Sequence, residues 1–231
     1  MYDFNGSFFN ESKLYMNPDE FTYDYIKQNV VCLESNYIYR ISDSFNLPCS
    51  HKINKEILDN NKYDGTILRR YLKKETQDNK DNNMNLSISE YIKDNNIELF
   101  DSSHLVVHLR MGDIVDRFAK RHENMIEQIN NYLEKNSEIS KVVLVTALHY
   151  GHPTESNKFY AKGSYSYSQS SHEKNIKVLL EFIKKLKTPV VLQSSEIDVD
   201  FSILVSATHL ITSNGGFSTL VSKLNKKYVH M

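Results

Sequence analysis

Five short apolar runs alternate with amphipathic helical stretches over residues 104–231, which predicts an α/β fold, a Rossmann-like doubly wound parallel sheet. The runs are continuously apolar rather than alternating, as strands buried on both faces of a parallel sheet must be. A second observation is the contrast with residues 1–103. Their patchy apolar pattern predicts a smaller, mixed, mainly helical N-terminal region with a polar linker near 74–85. A third is size, since 231 residues with 40% hydrophobic and 25% charged side chains can build a sizeable core without disulfides or a structural metal.

The elements follow in order. Asn17-Pro18-Asp19-Glu20 reads as a helix start before Phe21–Val31, with Asp19 as the cap and acidic residues at the positive end of the helix dipole. Tyr37–Ile41 reads as a short strand, and Ile53–Leu58 and Thr66–Lys74 as helices. Lys74–Asn85 (KETQDNKDNNMN) has almost no apolar side chain to bury and is expected to be a loop or linker. Ser87-Ile88-Ser89-Glu90 fits a capping box that opens a short helix through Ile92.

From residue 104 the pattern becomes regular. Strands are predicted at Leu105–Leu109, Lys141–Thr146, Pro189–Gln193, His209–Thr212 and Tyr228–Val229. Helices are predicted at Phe118–Leu133, Glu173–Leu186, Phe201–Ala207 and Phe217–Leu224. In the second of these helices Ile176, Leu179, Leu180 and Ile183 share one face. Residues 149–171, rich in Gly, Ser and Tyr, are expected to form a long loop.

Charge and cysteine content exclude several function classes. Lys+Arg is 28 and Asp+Glu 29, a net charge of -1, which is unsuited to general nucleic-acid binding or to a polybasic membrane surface. Cys32 and Cys49 are too few for a disulfide framework or a four-ligand zinc site. The N-terminus lacks a basic segment followed by an apolar one, so no signal peptide is expected. No run approaches the ~20 apolar residues of a membrane span. The expected location is cytoplasmic.

Ligands of such sheets bind outside the carboxyl ends of the strands. That rule selects the turns after Leu109, Thr146, Gln193 and Thr212, and the first and last of these carry the clearest chemistry. In His108-Leu109-Arg110-Met111-Gly112-Asp113 a strand ends on a guanidinium, whose planar fork suits a diphosphate and stays charged at any working pH. Asp113 either orients Arg110 or caps the next segment, and the whole is alternatively a structural Arg–Asp pair. In Thr212-Ser213-Asn214-Gly215-Gly216-Phe217-Ser218-Thr219 a strand runs through a small turn into a helix, whose free N–H groups favour anions. No Lys follows the glycines, so this is not a Walker sequence, and it is not a G-x-G-x-x-G fingerprint.

These segments resemble motifs of the fucosyltransferase superfamily. His108-Leu-Arg110-Met-Gly-Asp113 resembles its H-x-R-x-x-D motif, which in the alpha-1,2 group usually reads HIRRGDY. Leu210-Ile-Thr-Ser-Asn214-Gly-Gly-Phe217-Ser218-Thr-Leu-Val-Ser-Lys-Leu224-Asn225 is similar to that group's I-I-A-N-S-S-F-S-W-W-A-A-x-L-N. Asp200, in DFSILVSA, falls where the family carries an acidic residue before its last motif.

The resemblance implies a GT-B-like, metal-independent, inverting glycosyltransferase. Its substrates would be a GDP-sugar donor, GDP-fucose, and a glycan hydroxyl. Donor binding is implied in residues 104–231 and acceptor binding in residues 1–103. Arg110 would bind the β-phosphate and neutralise the leaving GDP, and His108 would donate to a phosphate or the sugar. Asp200 would accept the N1–H and amino hydrogens of guanine. Ser218, with Asn214, Gly215, Gly216 and Phe217, would hold the diphosphate, beside Asp113. Asp116, close behind the Arg motif, is a candidate base, and alternatively a helix cap.

The sequence also departs from the motifs. Met111 replaces a frequent second Arg, and Thr146-Ala147-Leu148-His149 replaces a Ser-Asp-Asp turn. A nucleotide- or glycan-binding module without catalysis is therefore the alternative, as is a transferase using another nucleotide. His149, Tyr150, His152 and Glu155 in the long loop are further polar candidates, outweighed by a reading as solvated loop residues. Tyr160, Tyr165 and Tyr167 either stack on sugar or pack the loop.

Overall fold

The computed structural model describes residues 4–9, 14–35, 64–74, 80–111, 119–146, 150–151, 169–195, 197–213 and 215–228. Among these residues the strands are β1 (Phe4–Phe9), β2 (Leu14–Met16), β3 (Val30–Ser35), β4 (His104–His108), β5 (Lys141–Val145), β6 (Tyr150–Gly151), β7 (Val190–Gln193) and β8 (His209–Thr212). The α-helices are α1 (Tyr23–Asn29), α2 (Ile67–Lys73), α3 (Lys80–Asp94), α4 (Ala119–Lys135), α5 (Gln169–Lys184), α6 (Ile197–Ser206) and α7 (Gly216–Tyr228).

The chain divides into two compact units, Met1–Ile38 with Ser102–Ser195 and His209–Ser213, and Tyr39–Asp101 with Glu196–Thr208 and Asn214–Met231. The first unit holds the main sheet, in the order β2-β7-β5-β4-β8. The four strands β7, β5, β4 and β8 are all parallel, and β2 adds an antiparallel edge through Tyr15 opposite Val191. In chain order the parallel strands lie 3-2-1-4, the first four positions of the Rossmann arrangement. A second, antiparallel sheet in the same unit runs β3-β1-β6.

Alternation along the strands builds the core. Leu105, Val107, Leu109 and Met111 share a cluster with Val142, Leu144, Val190 and Leu192, packed by Phe21, Ile26, Met125, Ile129, Ile176, Leu179 and Ile183. The alternate residues Val106, Val143, Val145 and Val191 are buried too. Burial on both faces explains the apolar runs of β4, β5 and β7, whereas the edge strand β8 is half-buried along its length. The helix stripes expected on α4 and α5 are the ones that face this cluster.

The second unit is helical. Thr66 Oγ1 caps α2 by accepting the Arg69 N–H at 3.1 Å, and Asp198 Oδ2 accepts the Ile67 N–H at 3.0 Å. Helix α3 packs on α2, tied by Arg70 to Asp94 at 2.6 Å and by Lys74 to Glu90. The Asn225 amide donates to the Val205 and Ala207 carbonyls at 2.9 and 2.8 Å, joining α7 to the end of α6.

Several elements differ from the sequence expectation. Part of the expected linker is helix, since α3 starts at Lys80. Met84 and Asn85 are fully buried there, so packing winds a polar tract that has no helical pattern of its own. Ser87 opens no helix. It sits mid-helix with its hydroxyl donating back to the Asn83 carbonyl at 2.8 Å. Helix α1 stops at Asn29, because Val30 onward pairs with β1 as a strand. Its cap is Thr22, whose hydroxyl accepts the Tyr25 N–H at 3.1 Å, rather than Asp19. Helix α5 begins at Gln169, inside the expected loop, and Tyr150 lies in a short strand. Helix α6 begins at Ile197, four residues before the expected start at Phe201. Tyr228 ends α7 instead of starting a fifth strand. Buried Leu220, Val221 and Leu224 and the Asn225 anchor carry the helix through, with no Gly or Pro to break it. The expected strand at 37–41, the helix at 53–58 and Val229 lie outside the described residues.

Candidate functional site

The strand order makes one place on the sheet special. Connections leave β4 towards β5 and β7 on one side, whereas β8 lies on the other, so the order reverses between β4 and β8. A crevice at that reversal, at the carboxyl ends of the strands, is where doubly wound sheets take ligands. His108 pairs with Thr212 in this position, as the last residues of their strands.

Three hydrogen bonds close the two turns onto each other. The Ser213 N–H donates to the His108 carbonyl at 3.0 Å. The Arg110 N–H donates to Ser213 Oγ at 3.1 Å, and Ser213 Oγ lies 3.3 Å from His108 Nδ1. The parallel ladder also continues past the strand ends, with Leu109 N–H on the Val145 carbonyl and Thr146 N–H on the Gln193 carbonyl. Arg110 and His108 are half-buried, and Met111 is buried in the core cluster. Met111 therefore contributes packing and no charge to this turn.

His122 is a residue the sequence reading missed. It sits in the first turns of α4, one turn before Met125, and the residue is 9% exposed. It is edge-on to Phe182, with centroids 5.9 Å apart. Burial lowers its imidazole below the ordinary value of 6.5, and a hydrogen bond with the Arg110 backbone opposes that shift. The sequence signal was available, because 122, 125, 126 and 129 form one helical stripe and its first member is polar.

In the second unit, α7 follows a turn in which Gly215 has φ of 120°, a conformation that favours glycine. The Gly215 carbonyl accepts both the Thr219 N–H and its hydroxyl at 3.0 Å. Ser218 and Asp200 are buried at 2% and 8% exposure. The rings of Phe201 and Phe217 meet at 5.6 Å, so the structure brings the first turn of α6, with Asp200, to the first turn of α7, with Ser218.

The structure therefore joins His108 and Arg110 in one unit, and the neighbourhoods of Asp200 and Ser218 in the other. Asp113, Asp116 and Asn214, with His149, His152, Glu155, Tyr160, Tyr165 and Tyr167, lie outside the described residues. Among the described residues no three His, Cys, Asp or Glu side chains group as a metal ion requires, and no helix is long and apolar enough to cross a membrane. Compared with known protein families, curated proteins and solved structures, the chain matches none.

Proposed function

We propose that this chain is a glycosyltransferase that moves fucose from GDP-fucose to a glycan hydroxyl, by an inverting mechanism that needs no metal. The observation that carries the reading is Arg110, held at the reversal of strand order by the Ser213 hydroxyl. A guanidinium there suits a diphosphate. The motif resemblance supplies the finer assignment, a GT-B-like donor half with Asp200 on guanine and Ser218 on the diphosphate.

In the proposed reaction the acceptor oxygen bonds to the sugar's anomeric carbon as that carbon's bond to the β-phosphate oxygen breaks. Arg110 neutralises the charge that develops on the departing GDP, and His108 donates a hydrogen bond beside it. The acceptor proton passes to a base, for which Asp116 is the sequence candidate.

A thermal-shift panel of GDP, UDP and ADP tests the reading. A nucleotide that binds only the folded chain raises its melting temperature by mass action, and the reading expects the largest rise with GDP. No shift with any of the three removes it. Burial of Met111 favours a second reading, a module that binds the donor without turnover. Donor binding with no hydrolysis of GDP-fucose, and no transfer across an acceptor panel, selects that alternative.

A further inference from the structure

Beside the Arg110 turn, three buried polar atoms have no hydrogen-bond partner, namely Thr146 Oγ1, Ser194 Oγ and His122 Nδ1. Their residues are 2%, 1% and 9% exposed. All belong to the first unit. Thr146 and Ser194 directly follow β5 and β7, and the Thr146 N–H bonds to the Gln193 carbonyl, so the two stand at neighbouring places on the sheet's carboxyl edge. Each continues a core-facing alternation, 142-144-146 on one strand and 190-192-194 on the next. His122 heads the core-facing stripe of α4 and bonds to the Arg110 backbone.

Buried polar groups are nearly always paired, and each unpaired one destabilises the fold. Three on one face at one edge are not explained by packing. We infer that Thr146, Ser194 and His122 form a binding subsite for the hydroxyl groups of a sugar ring, next to Arg110. The chemistry of the set selects that class. Two hydroxyls both donate and accept, and a neutral His122 Nδ1 does one or the other, so ligand hydroxyls, which do both, satisfy all three atoms. A phosphate oxygen only accepts, and it finds no fixed cation in this set. The inference deepens the donor reading above but rests on separate atoms. The ring is either the transferred sugar or the ribose of the nucleotide.

The test compares the wild type with the Thr146→Val, Ser194→Ala double variant, which keeps shape and removes both hydroxyls. Calorimetric titration uses GDP-fucose, GDP, L-fucose and D-ribose as probes, with urea unfolding of the free proteins alongside. The variant is expected to be at least as stable as the wild type, because two unpaired groups are gone. Its affinity is expected to fall roughly tenfold. A loss for GDP-fucose but not GDP assigns the transferred sugar, and an equal loss for both assigns the ribose. Unchanged affinity for every probe that the wild type binds overturns the subsite and leaves the donor reading standing. A wild type that binds neither nucleotide, but binds a free sugar more tightly than the variant, removes the donor reading and keeps the subsite. No binding of any probe overturns both. A variant that loses stability while losing affinity shows hydroxyls with a structural role and overturns the inference.

Discussion

Ser213 Oγ, just past β8, accepts the backbone N–H of Arg110, just past β4, at 3.1 Å. One hydroxyl thereby fixes the turn that presents the guanidinium and reaches His108 as well. Ser213→Ala is expected to cost about 1–3 kcal/mol of folding stability, because it leaves a part-buried N–H unpaired. Ser213→Thr keeps the oxygen and is expected to lose less than half as much. Urea denaturation of the two variants measures the difference, and equal losses would show that volume, not the hydroxyl, matters at this position.

Arg110→Lys keeps the charge but loses the planar fork. Under the proposed function GDP affinity falls roughly tenfold or more, as expected for about 1.5–3 kcal/mol of charged hydrogen bonding. Arg110→Ala falls further and abolishes transfer. Titration calorimetry with GDP reads both. A Lys variant that binds like the wild type rejects the role of the fork.

His122 makes stability depend on pH. Its folded-state value lies below 6.5, so over the interval between the two values the unfolded chain binds more protons. Its contribution is complete above about pH 6.5 and is lost as pH falls through the lower, folded-state value. Wild type is expected to lose more stability between pH 7.5 and 5 than His122→Gln does. Parallel slopes in urea midpoints for the two proteins would contradict this.

Asn225 holds the end of α6 with two N–H donors. Asn225→Asp has the same shape but sets carboxylate oxygens against the Val205 and Ala207 carbonyls. It is expected to destabilise by more than Asn225→Ala, which should cost about 1–3 kcal/mol. Thermal unfolding of the pair checks the order, and an Asp variant as stable as Ala would disprove the donor role. The motif resemblance also singled out Asn225, and its position in the structure gives it a structural task.

The strands of the parallel sheet were legible because both their faces are buried. Val142–Val145 and Val190–Leu192 carry that requirement in every residue, and the helix stripes of α4 and α5 follow from the same core. The start of α3 was not legible. Its first turns bury Met84 and Asn85 through contact with other helices, and no local pattern encodes a contact made at a distance. The Arg110 turn could be found from a strand end followed by Arg and Gly. Ser213 could not be tied to it, since it acts through the Arg110 backbone from a strand end 103 residues away. Asp198 carries no local signal for its role, because its partner, the Ile67 N–H, belongs to a helix far upstream.

The pairing of β2 with β7 has a consequence for the order of events in folding. Tyr15 meets Val191, so the antiparallel edge cannot close until the chain has been made through residue 192. The pairing of β4 with β5 joins segments far closer in sequence and carries a much smaller loop-closure entropy. A ribosome-bound chain therefore builds the middle of this sheet first. Until β2 docks, the backbone edge of β7 is exposed to any other strand it meets, and nascent chains of this protein are most vulnerable to mispairing during that interval.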